Sequence, residues 1–186
     1  MMYKIIKIFS PLIVFPLLFN FIISSKKNYI LEDLYARKKF SNNKLQQLFD
    51  LSFELLTNSY FRTLFYFRNP NLFSILLRNF YKKHPSFIIE VNTKIGKGLQ
   101  LAHPYATILN AESIGDYVYV NHLVTVGEKN GKKPIIGNQV QIHAHSIIIG
   151  GITIGNKSII GAGSVVVKDV PEGAVVAGNP AKIIRS

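Results

Sequence analysis

The chain has 186 residues, 48% of them apolar, which suffices for one ordinary domain with an appended segment and argues against disorder. It contains no cysteine, which removes disulfide frameworks, thiolate metal sites and cysteine nucleophiles and leaves histidine as the natural acid–base side chain. The net charge of +12 sits mainly in the first half, where residues 1–87 hold 13 Lys/Arg against 4 Asp/Glu and the remainder holds 9 against 6.

Residues 8–25 carry no charge, run through Ile, Leu, Val and Phe, and are bracketed by Lys4 and Lys7 before and Lys26 and Lys27 after. Their length reaches that of a short transmembrane helix, about 17–25 residues. Pro11 and Pro16 interrupt the run, so the expectation is a kinked segment that lies in a membrane interface or docks on protein. A signal peptide shares this composition, but no small-x-small cleavage site is clear.

Further on, Leu31, Leu34, Leu45, Leu48, Phe49, Leu55 and Leu56 recur at helical spacing, and residues 61–68 and 72–81 repeat the pattern around the turn signal Asn69-Pro70-Asn71. A basic excess can mark nucleic acid, an anionic membrane surface or a phosphorylated ligand. The aromatic and basic stretch 60–83 lacks an RNA-binding signature and reads as an amphipathic helix pair, so no nucleic-acid partner is expected. Residues 1–87 are therefore a helical, partly very apolar region that supplies helices rather than chemistry.

From residue 88 the grammar changes to short β-branched runs punctuated by glycine. Large aliphatics fall at Ile95, Leu101, Ile108, Ile114, Val120 and Val126, then at Ile136, Ile142, Ile148, Ile154, Ile160 and Val166. The six-residue period breaks at two places: one extra residue before Ile108 and four within residues 128–134, a polar stretch that must loop out. No α-helix has this period, and a single rung cannot bury its apolar face. Stacked rungs can: three make a triangular coil of eighteen residues, and about five coils fit between Ile88 and Val176. Residues 88–186 are thus expected to form a parallel β-helix, with Gly96-Lys97-Gly98 and Gly161-Ala162-Gly163 at its corners rather than in dinucleotide loops.

These rungs, with Ile160-Gly161-Ala162-Gly163-Ser164-Val165-Val166, Lys168-Asp169-Val170-Pro171 and Ala177-Gly178-Asn179-Pro180-Ala181-Lys182, resemble the hexapeptide-repeat acyltransferases over residues 88–184. They are most similar to serine O-acetyltransferases and the O-acetyltransferases of capsule and exopolysaccharide synthesis. The resemblance implies a mainly β, left-handed β-helix preceded by helices, a homotrimer, and acetyl-CoA as acyl donor in a groove between neighbouring prisms. It places the general base at His103, after Ile95-Gly96-Lys97-Gly98. A base is what the chemistry needs, because a hydroxyl attacks a thioester poorly until its proton is removed.

Register adds His122, two residues past Val120 as His103 is two past Leu101, so the two are expected to stack on successive coils. Down the same column come Ala144 and Ala162, which match the family's cofactor-contacting alanines and leave room for pantetheine. Lys168 and Lys182 lie near the end where the family holds the nucleotide of CoA. The pattern departs twice. Ala102 stands where the serine enzymes carry aspartate before the base, and Lys133 stands before Pro134 where they carry a second histidine, a catalytic role for which His122 is the candidate here.

The expected activity is therefore acetyl-CoA-dependent O-acetylation of a sugar or surface-polysaccharide precursor, with serine O-acetylation as the alternative and a non-catalytic membrane-associated scaffold behind both. The acceptor partner is a hydroxyl-bearing small molecule or glycan. His143 and His145, two apart, are read as lying in one strand and pointing the same way, which would suit a metal; surface residues explain them more simply, and no metal is expected. The close histidine pair of gamma-type carbonic anhydrases, with four residues between, is missing. The expected location is cytoplasmic, at the inner face of the cell membrane through the N-terminal region.

Overall fold

The computed structural model describes residues 2–36 and 39–186. It divides into two compact units, Met1–His84 and Pro85–Ser186.

The first unit is helical: α1 Met2–Ile13, α2 Phe15–Ile23, α3 Lys27–Tyr35, α4 Lys44–Thr57, α5 Ser59–Arg68 and α6 Leu72–Leu77. Asparagines start the last three: Asn43, Asn58 and Asn71 each accept hydrogen bonds from backbone N–H groups of the first turn that follows. Val14, Leu17, Ile30, Leu51, Leu55, Phe65 and Tyr66 form the core. The two prolines act differently. Pro11 stays inside α1, where the Lys7 carbonyl it leaves without an N–H is taken by the Ser10 hydroxyl at 2.8 Å. Pro16 falls in the first turn of α2, where no intrahelical donor is needed, and the two helices meet at 63°.

A bidentate ion pair ties α3 to α5, with Arg68 Nε and Nη2 donating to Asp33 at 2.9 and 3.1 Å in a buried setting. On α4, Asp50 accepts from Lys7, from Gln46 and from the Tyr35 hydroxyl. Burial pushes this carboxyl up, but the three hydrogen bonds and the Lys7 charge outweigh it and hold the group below the usual carboxylate range. The Tyr35 phenol is raised, first by burial and then by Asp50.

The second unit is a parallel β-helix of five coils, and with the helices before it the chain has the expected fold class. Strands β1 Phe87–Ile89, β4 Thr107–Leu109, β7 Thr125–Gly127, β10 Ile147–Ile149 and β13 Val165–Val166 make the first face. Strands β2 Lys94–Ile95, β5 Ser113–Ile114, β8 Ile135–Ile136 and β11 Thr153–Ile154 make the second. The third holds β3 Gln100–Leu101, β6 Tyr119–Val120, β9 Gln141–Ile142, β12 Ile159–Ile160 and β14 Val175–Gly178, with β15 Ala181–Arg185 returning antiparallel to β14. Val120, Val126, Ile142, Ile148, Ile154 and Ile160 are fully buried, which is the aliphatic ladder the period implies.

One rung differs from the sequence expectation. Ile108 points outward at 38% exposure, and Leu109, fully buried, takes the inner place opposite Val126. The chain therefore inserts two residues before this rung rather than one and drops one after it. Inside, Leu109 aligns with Ile89 and Val126; outside, Ile108 joins Ile88, Thr125, Ile147 and Val165 in one row.

The corners are built from short polar and glycine turns. Gly98 and Gly163 both lie at positive φ, 70° and 69°. Along another corner Asp116, Asn138 and Asn156 form a ladder in which Oδ1 of each accepts a backbone N–H one coil away, from Lys97, Asp116 and Asn138 in turn. Residues 128–134 loop out as a tight hairpin, Lys129 pairing with Lys132 across Asn130 and Gly131, both at positive φ.

Candidate active site

Inward aliphatics leave the alternate residues of the third face pointing out. There Gln100, Tyr119 and Gln141 stand in register on β3, β6 and β9. With Tyr117, Gln139 and His143 they line a groove of about 600 Å³. Tyr117 and Gln139 come from corners at positive φ, and His143 leans on Tyr119 with ring centroids 5.9 Å apart. The lining holds amides, phenols and one imidazole, and no Asp, Glu, Lys or Arg.

A chain of hydrogen bonds leads from this groove into the next corner. Asn121 Nδ2 donates to the Tyr119 hydroxyl at 3.3 Å, so Asn121 Oδ1 is its acceptor end. That oxygen takes the backbone N–H of His122 at 2.8 Å and stands 2.7 Å from His122 Nδ1. An amide oxygen only accepts, so Nδ1 is the donor in this contact, and in the neutral ring Nε2 is then the nitrogen that faces a substrate as acceptor. His122 is half-buried, its ring edge-on to His145 at 6.2 Å.

His103 is on the same side of the prism but not in the same column. Leu123 N–H bonds to Tyr105 O, His145 N–H to His122 O and Gly163 N–H to Ala144 O. The residues equivalent to His122 are thus Tyr105, Ala144 and Ala162, and the expected stacking of His103 on His122 is corrected. The cause is the two-residue insertion: the ladder runs regularly to Ala102, then His103 and the buried Pro104, which has no N–H for a ladder bond, widen the corner. His103 is exposed there with φ 51°. Among the described residues eight non-glycine side chains share that conformation, most of them at corners, so it reflects the fold rather than strain stored for catalysis.

Ala144 is half-buried and Ala162 exposed, a smooth strip below His122. Lys168 follows β13 and is exposed; Lys182, also exposed, pairs across the terminal hairpin with Ala177. His143 and His145 do not share a strand: both follow β9, and His145 occupies the corner at φ 61°. One ring turns to Tyr119 and the other to His122, and among the described residues no group of three His, Asp or Glu could hold a metal. Tyr119, Asn121 and Gln141 carry no motif. Their one signal in the sequence is position, being the outward neighbours of ladder residues about twenty apart.

The family description for bacterial transferase hexapeptide, six repeats, matches residues 133–168. Serine acetyltransferase 2 of Arabidopsis thaliana is 41% identical over 97 residues, which are 50% of this chain and 30% of that protein. Galactoside O-acetyltransferase of Escherichia coli strain K12 is 38% identical over 109 residues, 58% of this chain and 51% of that protein. The crystal structure of Neisseria gonorrhoeae serine acetyltransferase in complex with serine superposes with a TM-score of 0.64 at 30% identity, covering 84% of this chain and 68% of the other. This chain thus spans about a third of the plant relative and half of the galactoside enzyme.

Proposed function

We propose that this chain, a member of the hexapeptide-repeat acyltransferases, moves an acetyl group from acetyl-CoA to a hydroxyl of a sugar, free or part of a surface-polysaccharide precursor. The observation that carries the reading is the uncharged groove of Gln100, Tyr117, Tyr119, Gln139, Gln141 and His143, joined through Asn121 to His122. A sugar offers many hydroxyls that both donate and accept, which amides and phenols satisfy. A serine zwitterion brings an ammonium and a carboxylate, and both need charged partners once desolvated.

In this reading His103, at the family's base position and open to an incoming substrate, takes the acceptor proton as the oxygen attacks the thioester carbonyl. The new C–O bond forms, the tetrahedral oxyanion collapses, the C–S bond breaks, and the proton passes to the departing thiolate to give CoA. His122 Nε2 accepts a hydrogen bond from a second acceptor hydroxyl and so orients the sugar. Ala144 and Ala162 leave space for the pantetheine arm, with Lys168 and Lys182 for the phosphates. The outer aliphatic row Ile88, Ile108 and Ile147, each more than a third exposed, fits a homotrimer in which this face packs on a neighbouring copy.

Serine O-acetylation is the second reading, favoured by the similarity to serine acetyltransferases. CoA release from acetyl-CoA, measured with serine beside free and nucleotide-linked sugars, separates the two. The expected result is stimulation by a sugar, with His103→Ala losing about a hundredfold in turnover. Stimulation by serine alone overturns the sugar reading, and a fully active His103→Ala overturns the base.

A further inference from the structure

The helical unit is amphipathic in the wrong sense for a surface in water. Along α1 and α2 the polar side chains Ser10 and Asn20 are fully buried, while Ile8, Phe9, Leu12, Phe15, Phe19 and Ile22 are 47–77% exposed. A helix against water shows the reverse arrangement. The inward polar groups are satisfied: Ser10 bonds the Lys7 carbonyl, and Asn20 donates to Ser74 at 2.8 Å and accepts from Asn71 at 2.9 Å. Those bonds lock α2 to α6, whose own outer residues Leu72, Ile75 and Leu76 are 55–73% exposed, with Phe80 beyond it at 82%. Phe15, Phe19, Phe73, Leu77 and Phe80 line an apolar groove of about 510 Å³ along this seam. The exposed apolar face is thus continuous over three helices, larger than the scattered apolar residues any surface carries.

Charge says what covers it. No Asp or Glu occurs in residues 1–31 or 55–89, while Lys4, Lys26, Lys27, Lys82 and Lys83 flank the apolar segments and are exposed. The four acids of this unit lie on other helices, Glu32 and Asp33 on α3 and Asp50 and Glu54 on α4, with Asp33 paired to Arg68 and Asp50 to Lys7. The same face of a second copy would bring the same flanking lysines and, along α1, α2 and α6, no acid to meet them, whereas an anionic lipid surface offers both an apolar interior and complementary charge. Among the described residues no single helix is long and apolar enough to cross a membrane. The α1–α2 pair, 12 and 9 residues bent by 63°, fits a segment lying in the headgroup boundary.

We propose that the exposed face of α1, α2 and α6 is a monotopic docking surface for an anionic bilayer, with Leu12, Phe15, Phe19 and Phe80 inserted below the headgroups and the flanking lysines on the lipid phosphates. The test is flotation of the intact protein with vesicles of phosphatidylcholine alone and with about one third phosphatidylglycerol, at low and high salt. Binding is expected on the anionic vesicles, weakened by salt. Lys26→Glu with Lys27→Glu, both exposed, should cut it several-fold, and Leu12→Glu with Phe15→Glu more than tenfold, the helical circular dichroism being unchanged. Absence of binding, or equal binding by all variants, overturns the proposal. So does a change in assembly mass by light scattering in Leu12→Glu with Phe15→Glu without any vesicle binding by the parent, because the face would then belong to a second copy.

Discussion

Removing Asn121 separates two roles a histidine can have in this site. Asn121→Ala deletes the acceptor of His122 Nδ1 and the link to Tyr119 while leaving the β6 ladder bonds untouched. A lost hydrogen bond of this kind is worth about 1 kcal/mol, or roughly fivefold in an equilibrium constant. If His122 orients the acceptor, steady-state kinetics should show a KM for the acceptor raised about fivefold with kcat little changed; a large loss of kcat instead would make His122 the base. At this scale the sequence was uneven. A motif singles out His103, and register singles out the alanines of the strip. Asn121 and Tyr119 were not legible, because an outward asparagine or tyrosine in a β-helix looks like any surface residue until the coil above sets its partner.

At the level of elements, Gly137 shows how little room a corner leaves. A Cβ there would stand 2.7 Å from Asn156 Oδ1 and 2.8 Å from Asn156 N, in the middle of the asparagine ladder. Gly131, at the tip of the 128–134 hairpin, meets nothing within 4 Å. Gly137→Ala should therefore cost about 1–3 kcal/mol of β-helix stability, as overpacking does. Gly131→Ala, with only its φ of 74° against it, should cost about 1–2 kcal/mol at most. Denaturant titration of the two variants checks the order. The hexapeptide period made these coils readable, because inward aliphatics at every sixth residue admit no other packing. It misplaced Ile108, since Ile108 and Leu109 are both large and aliphatic and period alone cannot choose between neighbours; the outer row Ile88, Ile108, Ile147 decides it.

The helices add a pH dependence. His84, half-buried with its ring stacked on Tyr60 at 3.9 Å, is pushed by burial below the usual histidine value. Asp50 also lies below its ordinary value in the folded state. For both groups the unfolded chain binds protons more readily than the folded one, so their contribution is complete above the unfolded values, about 6.5 and 3.9, and drains away as pH falls through the folded ones. The helical unit should therefore lose stability on acidification in two stages, one beginning below about pH 6.5 and a second below about pH 4. Thermal melts followed at a helical wavelength should show the first stage vanish in His84→Gln and the second shrink in Asp50→Asn.

For the molecule as a whole, assembly follows from what the first face of the β-helix leaves uncovered. Ile88, Ile108 and Ile147 project from three coils of one sheet at 42, 38 and 37% exposure, with Thr125 and Val165 completing the row. Each is backed by a buried ladder residue beside it, such as Leu109 or Ile148, so the outward side chains do not hold the coil together. A lysine in place of Ile147 should leave the β-helix folded, because the stem can lie along the face with its charge in water. The same lysine in a closed ring would meet the neighbouring copy with a desolvated charge that no acid in the row pairs, a cost that disfavours association strongly. Light scattering should therefore find the parent as a trimer and Ile147→Lys as a monomer with the same melting curve for its sheet. A trimeric Ile147→Lys would mean that another face makes the contact.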